Sequence, residues 1–251
     1  MEIKRSSYQG VFNIIRFNWH FYLLAILVIA LLFTGFSFFS FPWNIICITL
    51  SVVLFITSLI SLLVSFYVYD RSDLYLLKWL ENLNDKKVLI VNAGFDEITD
   101  IVKSKFPEAD IVTCDFYNPV KHTEVSIKRA RIAYPPTPDT VKVETKNLPF
   151  ENKEFDFIIA MLSLHEIRNS EERLIFFNEL NRILKSSGHV FVTEHLRDIN
   201  NFMAYTLGFF HFHSKAVWKK TFRESGFTLI EEIKTTPFIT TFNITHNGSS
   251  N

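Results

Sequence analysis

The chain has few of the residues that mark small, irregular or cross-linked proteins. Its two cysteines, Cys47 and Cys114, lie far apart in different kinds of segment, which excludes a disulfide framework and a cysteine-based zinc site. Only 7 Gly and 8 Pro occur among 251 residues, which excludes a collagen-like, linker-like or disordered chain. The 26 basic residues balance the 26 acidic ones, so total charge gives no preference for nucleic acid.

Charged residues are missing altogether from one long stretch. From Phe17 to Tyr69, a run of 53 residues, His20 is the only side chain that could carry a charge. The run divides at Ser40–Asn44 into apolar segments 21–39 and 45–69, each near the roughly 20 residues that cross a bilayer. This pattern predicts a transmembrane hairpin. A cleaved signal peptide would need a shorter apolar core, and a buried hairpin of a soluble protein is the other alternative.

The flanking basic residues predict the orientation of this hairpin. Lys4, Arg5 and Arg16 precede it, Arg71 and Lys78 follow it, and the turn has no basic residue. Because basic flanks stay on the cytoplasmic side, we expect an integral protein of the inner or cytoplasmic membrane with both termini cytoplasmic. Residues 8–15 could form a short amphipathic helix along the membrane surface.

The remaining residues, 70–251, carry a net charge of −2 and have the pattern of a soluble domain. Leucines at helical spacing after Ser72, a residue suited to cap a helix, predict a linking helix over 70–85. A domain over 86–246 and a disordered tail over 247–251 follow. Within the domain, helical patterns alternate with apolar runs at 87–91, 110–115, 141–143, 155–161 and 189–194. This alternation predicts an α/β fold with a doubly wound, mostly parallel sheet, closed by an antiparallel hairpin over 226–245.

Polar residues follow several of these strands, where ligands bind in such sheets. Gly94 allows a tight turn after the first strand, and Asp115 ends the second, where an acid can accept bonds from ribose hydroxyls or cap a turn. Two histidine–carboxylate pairs follow the fourth and fifth strands, and each is able to move a proton. These candidate catalytic residues are His165, Glu166, Glu194 and His195.

Three motifs carry a resemblance to a known family. They are Leu148-Pro149-Phe150-x-Asn152-x-x-Phe155-Asp156-Phe157-Ile158, Leu164-His165-Glu166-Ile167, and Phe177-x-Glu179-Leu180-x-Arg182-Ile183-Leu184-Lys185-x-x-Gly188. The sequence resembles class I S-adenosylmethionine-dependent methyltransferases, near the branch that methylates ubiquinone and menaquinone. The resemblance extends from about residue 86 to 245 and implies a Rossmann-like sheet of seven strands with a final antiparallel hairpin. The apolar hairpin falls outside it.

The resemblance also implies where the cofactor S-adenosylmethionine binds. The turn after the first strand holds the methionine part, Asp115 holds the ribose, and Glu144 contacts the adenine edge. The family usually has an acid and three alternating glycines in the first loop, whereas this chain has Ile90, Asn92, Gly94 and Asp96. A silent domain that has lost the cofactor is therefore the alternative. The implied cofactor-binding residues are Asn92, Ala93, Gly94, Phe95, Asp115, Phe116, Glu144 and Leu148.

Charge separates the cofactor candidates. A dinucleotide places its pyrophosphate at the start of the helix after the first strand, where this chain has Asp96 and Glu97. These carboxylates would repel pyrophosphate but tolerate a sulfonium with an amino-acid group, which favours S-adenosylmethionine over NAD. Asp96 could also simply cap the helix.

An aromatic segment follows the fifth strand, over residues 201–213. It resembles the family's variable segment that covers the substrate, with Phe202, Tyr205, Phe209 and His211 as lid residues; ordinary core packing is the alternative. An aromatic lid beside a membrane anchor suits a lipophilic acceptor such as a quinone, aryl lipid, polyene or isoprenoid. His211-x-His213 has no cysteine and no third ligand nearby in sequence, so we predict no metal site.

The sequence therefore supports two functions of different classes. The first is a membrane-anchored S-adenosylmethionine-dependent methyltransferase acting on a lipophilic small molecule. The second is a catalytically silent methyltransferase-like domain that serves as a membrane-bound scaffold or sensor. A reductase is less favoured. The net charge of −2 disfavours nucleic acid as a partner, although Lys121, His122, Lys128, Arg129 and Arg131 form a local basic cluster.

The predicted orientation can be tested with reporters fused after residue 251. A reporter that is active only in the cytoplasm should be active in this fusion, because both basic flanks hold the hairpin ends on the cytoplasmic side. The matched fusion of a reporter active only outside the cytoplasm should be silent. Activity of that second fusion would contradict the predicted topology.

Overall fold

The computed structural model describes residues 6–248. Two basic residues that support the predicted orientation, Lys4 and Arg5, lie outside these described residues, as do residues 249–251 of the predicted tail. Seven strands form one sheet in the order β3-β2-β1-β4-β5-β7-β6. They are β1 (Lys87–Asn92), β2 (Asp110–Asp115), β3 (Val141–Lys142), β4 (Phe155–Met161), β5 (Leu184–His195), β6 (Phe227–Lys234) and β7 (Ile239–His246).

The sheet is parallel except at one side, where β7 runs antiparallel to both β5 and β6. The central strand β1 pairs with β2 and β4, and Val88–Val91 within it are almost wholly buried. Strands that are buried on both faces need such continuous apolar runs. The prediction of a doubly wound, mostly parallel α/β fold with a final antiparallel hairpin is confirmed.

Helices cover both faces of the sheet and create two apolar cores. One core joins the sheet to aromatic residues of two helices, among them Phe176, Phe177, Trp218 and Phe222. The other core lies beneath the segment that leads into β1 and beneath the short helix that follows β1. The helices of this part are α3 (Thr99–Lys105), α4 (Val125–Ala133), α5 (Ser170–Ile183), α6 (Ile199–Tyr205) and α7 (Lys215–Glu224).

Two long apolar helices precede this part, α1 (Gln9–Phe38) and α2 (Trp43–Phe66). They pack against each other, and the apolar windows that define them are 0% and 6% buried. Each is long and apolar enough to cross a membrane. The backbone leaves helical geometry at Asn18, which separates the start of α1 from its apolar part. That first part packs against α4, so it contacts protein along one side.

The linking helix predicted over residues 70–85 does not form as one helix. A π-helical turn, Tyr67–Arg71, extends α2, and a short 3₁₀ turn, Leu74–Leu76, follows. The backbone then turns at Leu77, whose φ is 47°. All four predicted leucines are nevertheless buried against the sheet, so tertiary packing sets the local conformation instead of helix propensity: Leu74, Leu77, Leu80 and Leu83.

Asp70 joins the start of α1 to the end of α2. Its two carboxylate oxygens accept hydrogen bonds from the backbone amides of Gly10 and Val11, at 2.7 and 2.8 Å. These amides belong to the first turn of α1, where backbone donors have no partner within the helix. A carboxylate at this position also interacts favourably with the helix dipole. Asp70 therefore caps the start of α1 through Gly10, which lies 60 residues earlier in the chain.

We expect Asp70→Ala to loosen the first turn of α1. Loss of a capping carboxylate costs about 1 kcal/mol, which corresponds to roughly fivefold faster amide exchange. Hydrogen–deuterium exchange of the peptide that contains Gly10 and Val11 measures this. The control is Asp73→Ala, which removes an exposed ion pair with Lys78 and should leave that peptide unchanged. Equal exchange in wild type and the Asp70 variant would show that the cap contributes nothing.

Candidate active site

The loops that follow β1, β2 and β4 meet at the carboxyl edge of the sheet. The Ser163 hydroxyl, just after β4, donates to the Val91 carbonyl in β1 at 3.1 Å. The Phe116 amide, just after β2, donates to the Asn92 carbonyl at 3.1 Å. Because these parallel strands end together, residues far apart in sequence share one edge, as expected for a ligand site of a doubly wound sheet.

The turn after β1 is held in a tight conformation. The Asn92 side-chain oxygen accepts from the Gly94 amide at 3.0 Å. Gly94 has a φ of +92°, which favours glycine. A Cβ atom there would lie 3.0 Å from the Arg131 guanidinium and from the Tyr117 ring. Glycine is required at this position both for the turn and for the close approach of these two side chains.

Asp115, the acid that the resemblance assigns to the ribose, is already bonded within the protein. One carboxylate oxygen accepts from the Tyr117 amide at 2.8 Å, and the other forms an ion pair with Arg131. The residue is 2% exposed. The Arg131 guanidinium also lies over the Tyr117 ring, 4.8 Å from its centre. Asp115 stands at the predicted strand end, but with an arginine where a ribose would bind.

Aromatic rings cover the same turn from the side of α1. The Phe95 ring lies 5.8 Å from Phe17 of α1 and 5.2 Å from Tyr134, which follows α4. Arg129 of α4 donates to the Phe17 carbonyl at 2.7 Å. The turn is therefore enclosed by α1 and by α4, and the guanidinium of Arg131 lies beside both the turn and Asp115.

The other residues predicted to contact the cofactor lie in different environments. Ala93 is buried in the core at the turn. Phe116 is also buried, with its ring 5.4 Å from Phe176. Leu148 is buried, and its amide donates to Glu179 at 2.9 Å. Glu144 is exposed and pairs through its backbone with Asn147.

Asp96 caps α3, as the simpler alternative predicts. Its carboxylate accepts from the amides of Ile98 and Thr99, both at 3.0 Å. The neighbouring Glu97 accepts from the Tyr75 hydroxyl at 2.8 Å. Because this helix start already carries a capping carboxylate, a pyrophosphate would meet like charge there.

Glu194 and His165 form the centre of the second half of the site. The Glu194 side chain is 0% exposed, and His165 Nδ1 donates to it at 2.6 Å. The other oxygen of Glu194 accepts from the amides of Leu164 and His165, at 2.8 and 3.2 Å. Glu194 therefore fixes both the loop after β4 and the ring of His165, so it positions this histidine.

His165, Glu166 and His211 come together across the same edge. The Nε2 atoms of both histidines lie 3.6 Å from Glu166 Oε1. His211 Nδ1 lies 2.7 Å from the Glu124 carboxylate, and Arg168 contacts both groups. Burial opposes ionisation of Glu166, but the hydrogen bond to His211 and the nearby basic groups outweigh it and lower its pKa to about 2.

His195, which was predicted to open onto the same cleft, has other partners. Its Nδ1 donates to the Asn201 side-chain oxygen, and its Nε2 accepts from the Tyr69 hydroxyl, both at 2.9 Å. The Phe212 ring stacks on it at 4.7 Å. Burial lowers the pKa of His195 to about 4, so the ring is neutral at physiological pH. Adjacent strand residues face opposite sides, which separates His195 from Glu194.

The aromatic segment after β5 runs beside these groups and leaves much apolar surface exposed. α6 packs against α2, and the ring of Phe202 contacts that of Phe209 at 5.1 Å. Tyr205 lies 5.3 Å from His195. Several apolar side chains point outward instead of forming core: Ile199 (69% exposed), Met203 (62%), Leu207 (78%) and Phe210 (57%).

The structure also shows side-chain contacts that the sequence does not indicate. His213 turns away from His211, accepts from Arg173 at 3.2 Å, and packs on Trp218. Glu124, Arg131 and Tyr69 reach the site from segments outside the recognised motifs. In the sequence, Arg131 stands out only as one member of the basic cluster after β2. The spacing of residues in that cluster does not distinguish it from Lys128.

Comparison with known proteins agrees with this fold. Residues 89–192 match the sequence model of the family described as "Methyltransferase domain". A solved S-adenosylmethionine-dependent methyltransferase from Aquifex aeolicus is 15% identical, with a TM-score of 0.50 over 75% of this chain and 97% of that one. A protein of Pyrococcus horikoshii OT3 is 18% identical, with a TM-score of 0.50 over 68% of this chain and 85% of that one.

The matched family segment begins at residue 89, after the apolar hairpin, and ends at residue 192 within β5. The structural likeness establishes the Rossmann-like fold with its antiparallel pair at the end. The family match indicates a methyltransferase domain in this chain, and the similar structure from Aquifex aeolicus is described as dependent on S-adenosylmethionine.

Proposed function

We propose that the protein is a membrane-anchored methyltransferase that transfers a methyl group from S-adenosylmethionine to a lipophilic small molecule in the bilayer. The acceptor classes that suit this site are quinones, aryl lipids, polyenes and isoprenoid-like molecules. Two exposed apolar helices support the anchor, since an apolar surface of this size needs a cover and a bilayer is one. The methyltransferase-domain match supports the reaction class.

One observation carries the proposal: the base of the apolar hairpin contacts the ligand edge of the sheet. Phe17 of α1 packs on Phe95 in the turn after β1. At the other helix, Tyr69 donates to His195 at the end of β5. A substrate that lies in the membrane at the base of the hairpin would therefore lie beside the loops that bind ligands. Tethering also raises the local concentration of such a substrate without any new contact.

The exposed apolar residues of α6 and the following turn extend this surface. Met203, Leu207 and Phe210 point outward beside α2. Side chains of this kind are suited to contact lipid tails and a lipophilic acceptor. We therefore keep this segment as the proposed substrate lid, with Phe202, Tyr205, Phe209 and His211 as its members.

The cofactor would be held by the turn at Asn92–Phe95 and by Asp115. When bound, S-adenosylmethionine supplies an electrophilic methyl carbon whose bond to sulfur breaks with the electron pair left on sulfur. Asp115 would accept hydrogen bonds from the ribose hydroxyls if Arg131 left its carboxylate. Asp115 therefore has two competing partners, and Arg131 sets the free energy that binding must overcome.

The acceptor's proton would be handled by the group around His165. Glu194 holds its ring through Nδ1, so its Nε2 faces the space shared with Glu166 and His211. A fixed ring presents one atom to the acceptor in a constant geometry, which aligns the acceptor and aids its deprotonation. His195 lacks such an open atom, because both of its ring nitrogens are bonded.

The second candidate is a silent domain that serves as a scaffold or sensor. The ion pair between Arg131 and Asp115 and the reduced glycine motif favour it. Cofactor affinity distinguishes the two candidates. A silent domain keeps Arg131 in place at any S-adenosylmethionine concentration, whereas an enzyme exchanges it for the cofactor.

Calorimetric titration of S-adenosylmethionine into the full chain in detergent should show binding at one site. Asp115→Ala should weaken that binding by roughly 1–3 kcal/mol, because the ribose hydroxyls lose their buried acceptor. Arg131→Met is the matched variant and should tighten binding by about tenfold, since no charged hydrogen bond has to be broken first.

The two variants together separate the possible roles. Binding that Asp115→Ala leaves unchanged would remove this acid from the cofactor site. Weaker binding by Arg131→Met would make Arg131 a cofactor contact instead of a competitor. Absence of binding in all three proteins would favour the silent domain.

His165→Gln should lower the rate of methyl transfer by roughly 10²–10⁴-fold while S-adenosylmethionine still binds. His195→Gln should retain most of the rate per folded molecule, because this ring supports packing and lacks an open nitrogen. The assay follows labelled methyl groups from S-adenosylmethionine into a membrane lipid extract that supplies the acceptor. Equal rates for wild type and His165→Gln would exclude a role for this histidine in the chemical step.

A further inference from the structure

Three side chains at the carboxyl edge have the donor atoms and spacing of a metal site. The Nε2 atoms of His165 and His211 and a carboxylate oxygen of Glu166 all lie within 4.8 Å of one another. Both Nε2–Oε1 distances are 3.6 Å. Donors of a tetrahedral zinc site, with bonds of 2.0–2.1 Å, are about 3.4 Å apart, so two of the three separations nearly match already.

The other nitrogen of each ring is held by a carboxylate. His165 Nδ1 donates to Glu194 at 2.6 Å, and His211 Nδ1 lies 2.7 Å from Glu124. Arg168 also lies against His211 Nδ1. If a metal replaces the Nε2 protons and each ring keeps its Nδ1 proton, both Nε2 lone pairs are directed toward the space beside Glu166. Metal-binding histidines have this arrangement, in which a carboxylate fixes the tautomer and the ring orientation. Two such pairs converge on one carboxylate oxygen here.

The charge of the cluster also favours a cation. Three carboxylates, those of Glu124, Glu166 and Glu194, surround the two imidazoles, and Arg168 on the loop after β4 forms an ion pair with Glu124. When both imidazoles are neutral, as metal ligands must be, the three acids exceed this one guanidinium by two charges. Glu166 and Glu194 are 8% and 0% exposed, so water compensates them little. Buried carboxylates are costly unless they are paired or coordinate a metal.

We propose that His165 Nε2, His211 Nε2 and a Glu166 carboxylate oxygen bind one divalent transition-metal ion, with zinc as the ion that this donor set suits. Two imidazoles and one carboxylate form a known catalytic zinc set, which leaves a fourth position open. The sequence argument against a metal considered only His213 as the partner of His211. The fold instead supplies His165 and Glu166 from the loop after β4.

The open position defines the acceptor class, and this step rests on the proposed function. An acceptor with a hydroxyl or enol oxygen can occupy that position after releasing its proton to solvent, and a bound cation favours this deprotonated oxygen. In the metal-bound site His165 is a ligand, and the cation promotes deprotonation in place of the free imidazole. The aromatic lid beside His211 would cover the apolar part of the same molecule. The acceptor is then a lipophilic molecule with an oxygen that either receives the methyl group itself or lies next to the atom that receives it.

Cobalt titration of the full chain tests the site without cofactor or acceptor. The protein is purified in detergent through a tag without histidine, stripped with a chelator, and titrated with Co²⁺. We expect visible ligand-field bands that saturate at one equivalent and bleach when Zn²⁺ is added. Because this readout needs neither S-adenosylmethionine nor turnover, failure of the methyltransferase proposal would leave it intact.

Variants connect the bands to the three ligands. His211→Ala and the isosteric Glu166→Gln should abolish the one-equivalent bands, and circular dichroism checks that each variant folds. Glu124→Gln, at a partly exposed site, should weaken binding by about 10–100-fold. His189→Gln is the matched control, because this histidine lies in the middle of β5 and bonds Asn243, so the variant should bind Co²⁺ like wild type.

Two results would overturn the metal site. Absence of saturable bands in wild type would show that hydrogen bonds and ion pairs hold the cluster together without a metal. Bands of equal strength in wild type and His211→Ala would place the bound cobalt elsewhere on the protein.

Discussion

The buried carboxylate of Glu194 is the constraint on which the site depends. It lies at the end of β5, is fully enclosed, and accepts two backbone amides and one imidazole. A buried charge without such partners would be too costly to keep, so the loop after β4 must pass close to it. The parallel pairing of β4 and β5 places that loop beside Glu194. The position of His165, and of the groups that gather around it, follows from this requirement.

The part of the sheet edge after β2 also has a buried carboxylate, but a different kind of side chain compensates its charge. Asp115 is also buried at a strand end, and the side chain that compensates it is Arg131 of α4. The same helix contacts α1 through Arg129 and, just beyond its end, through Tyr134. The ion-pair partner of Asp115 therefore lies on a helix that rests against the apolar hairpin.

Much of the fold follows from the sequence, because buried parallel strands require continuous apolar runs such as 87–91 and 155–161. The linking segment could not be predicted in the same way, since its leucines have helical spacing but are buried through turns. Asp115, His165 and Glu194 were identified because strand ends share one edge. Arg131 and Glu124 were not, because contacts between loops depend on how helices pack. The partners of His195, Tyr69 and Asn201, could not be predicted either, since they come from segments whose packing the strand pattern does not determine.

The central claim is that a membrane-borne acceptor reaches the site from the bilayer in which the hairpin is embedded. Reconstitution tests it directly: the protein is placed in vesicles that contain the membrane lipid extract, or in plain vesicles mixed with separate vesicles of that extract. Labelled S-adenosylmethionine is added to both samples. The account predicts rapid methylation when protein and extract share a vesicle and slow methylation when they do not. Equal initial rates, or no lipid-soluble label in either sample, would contradict it.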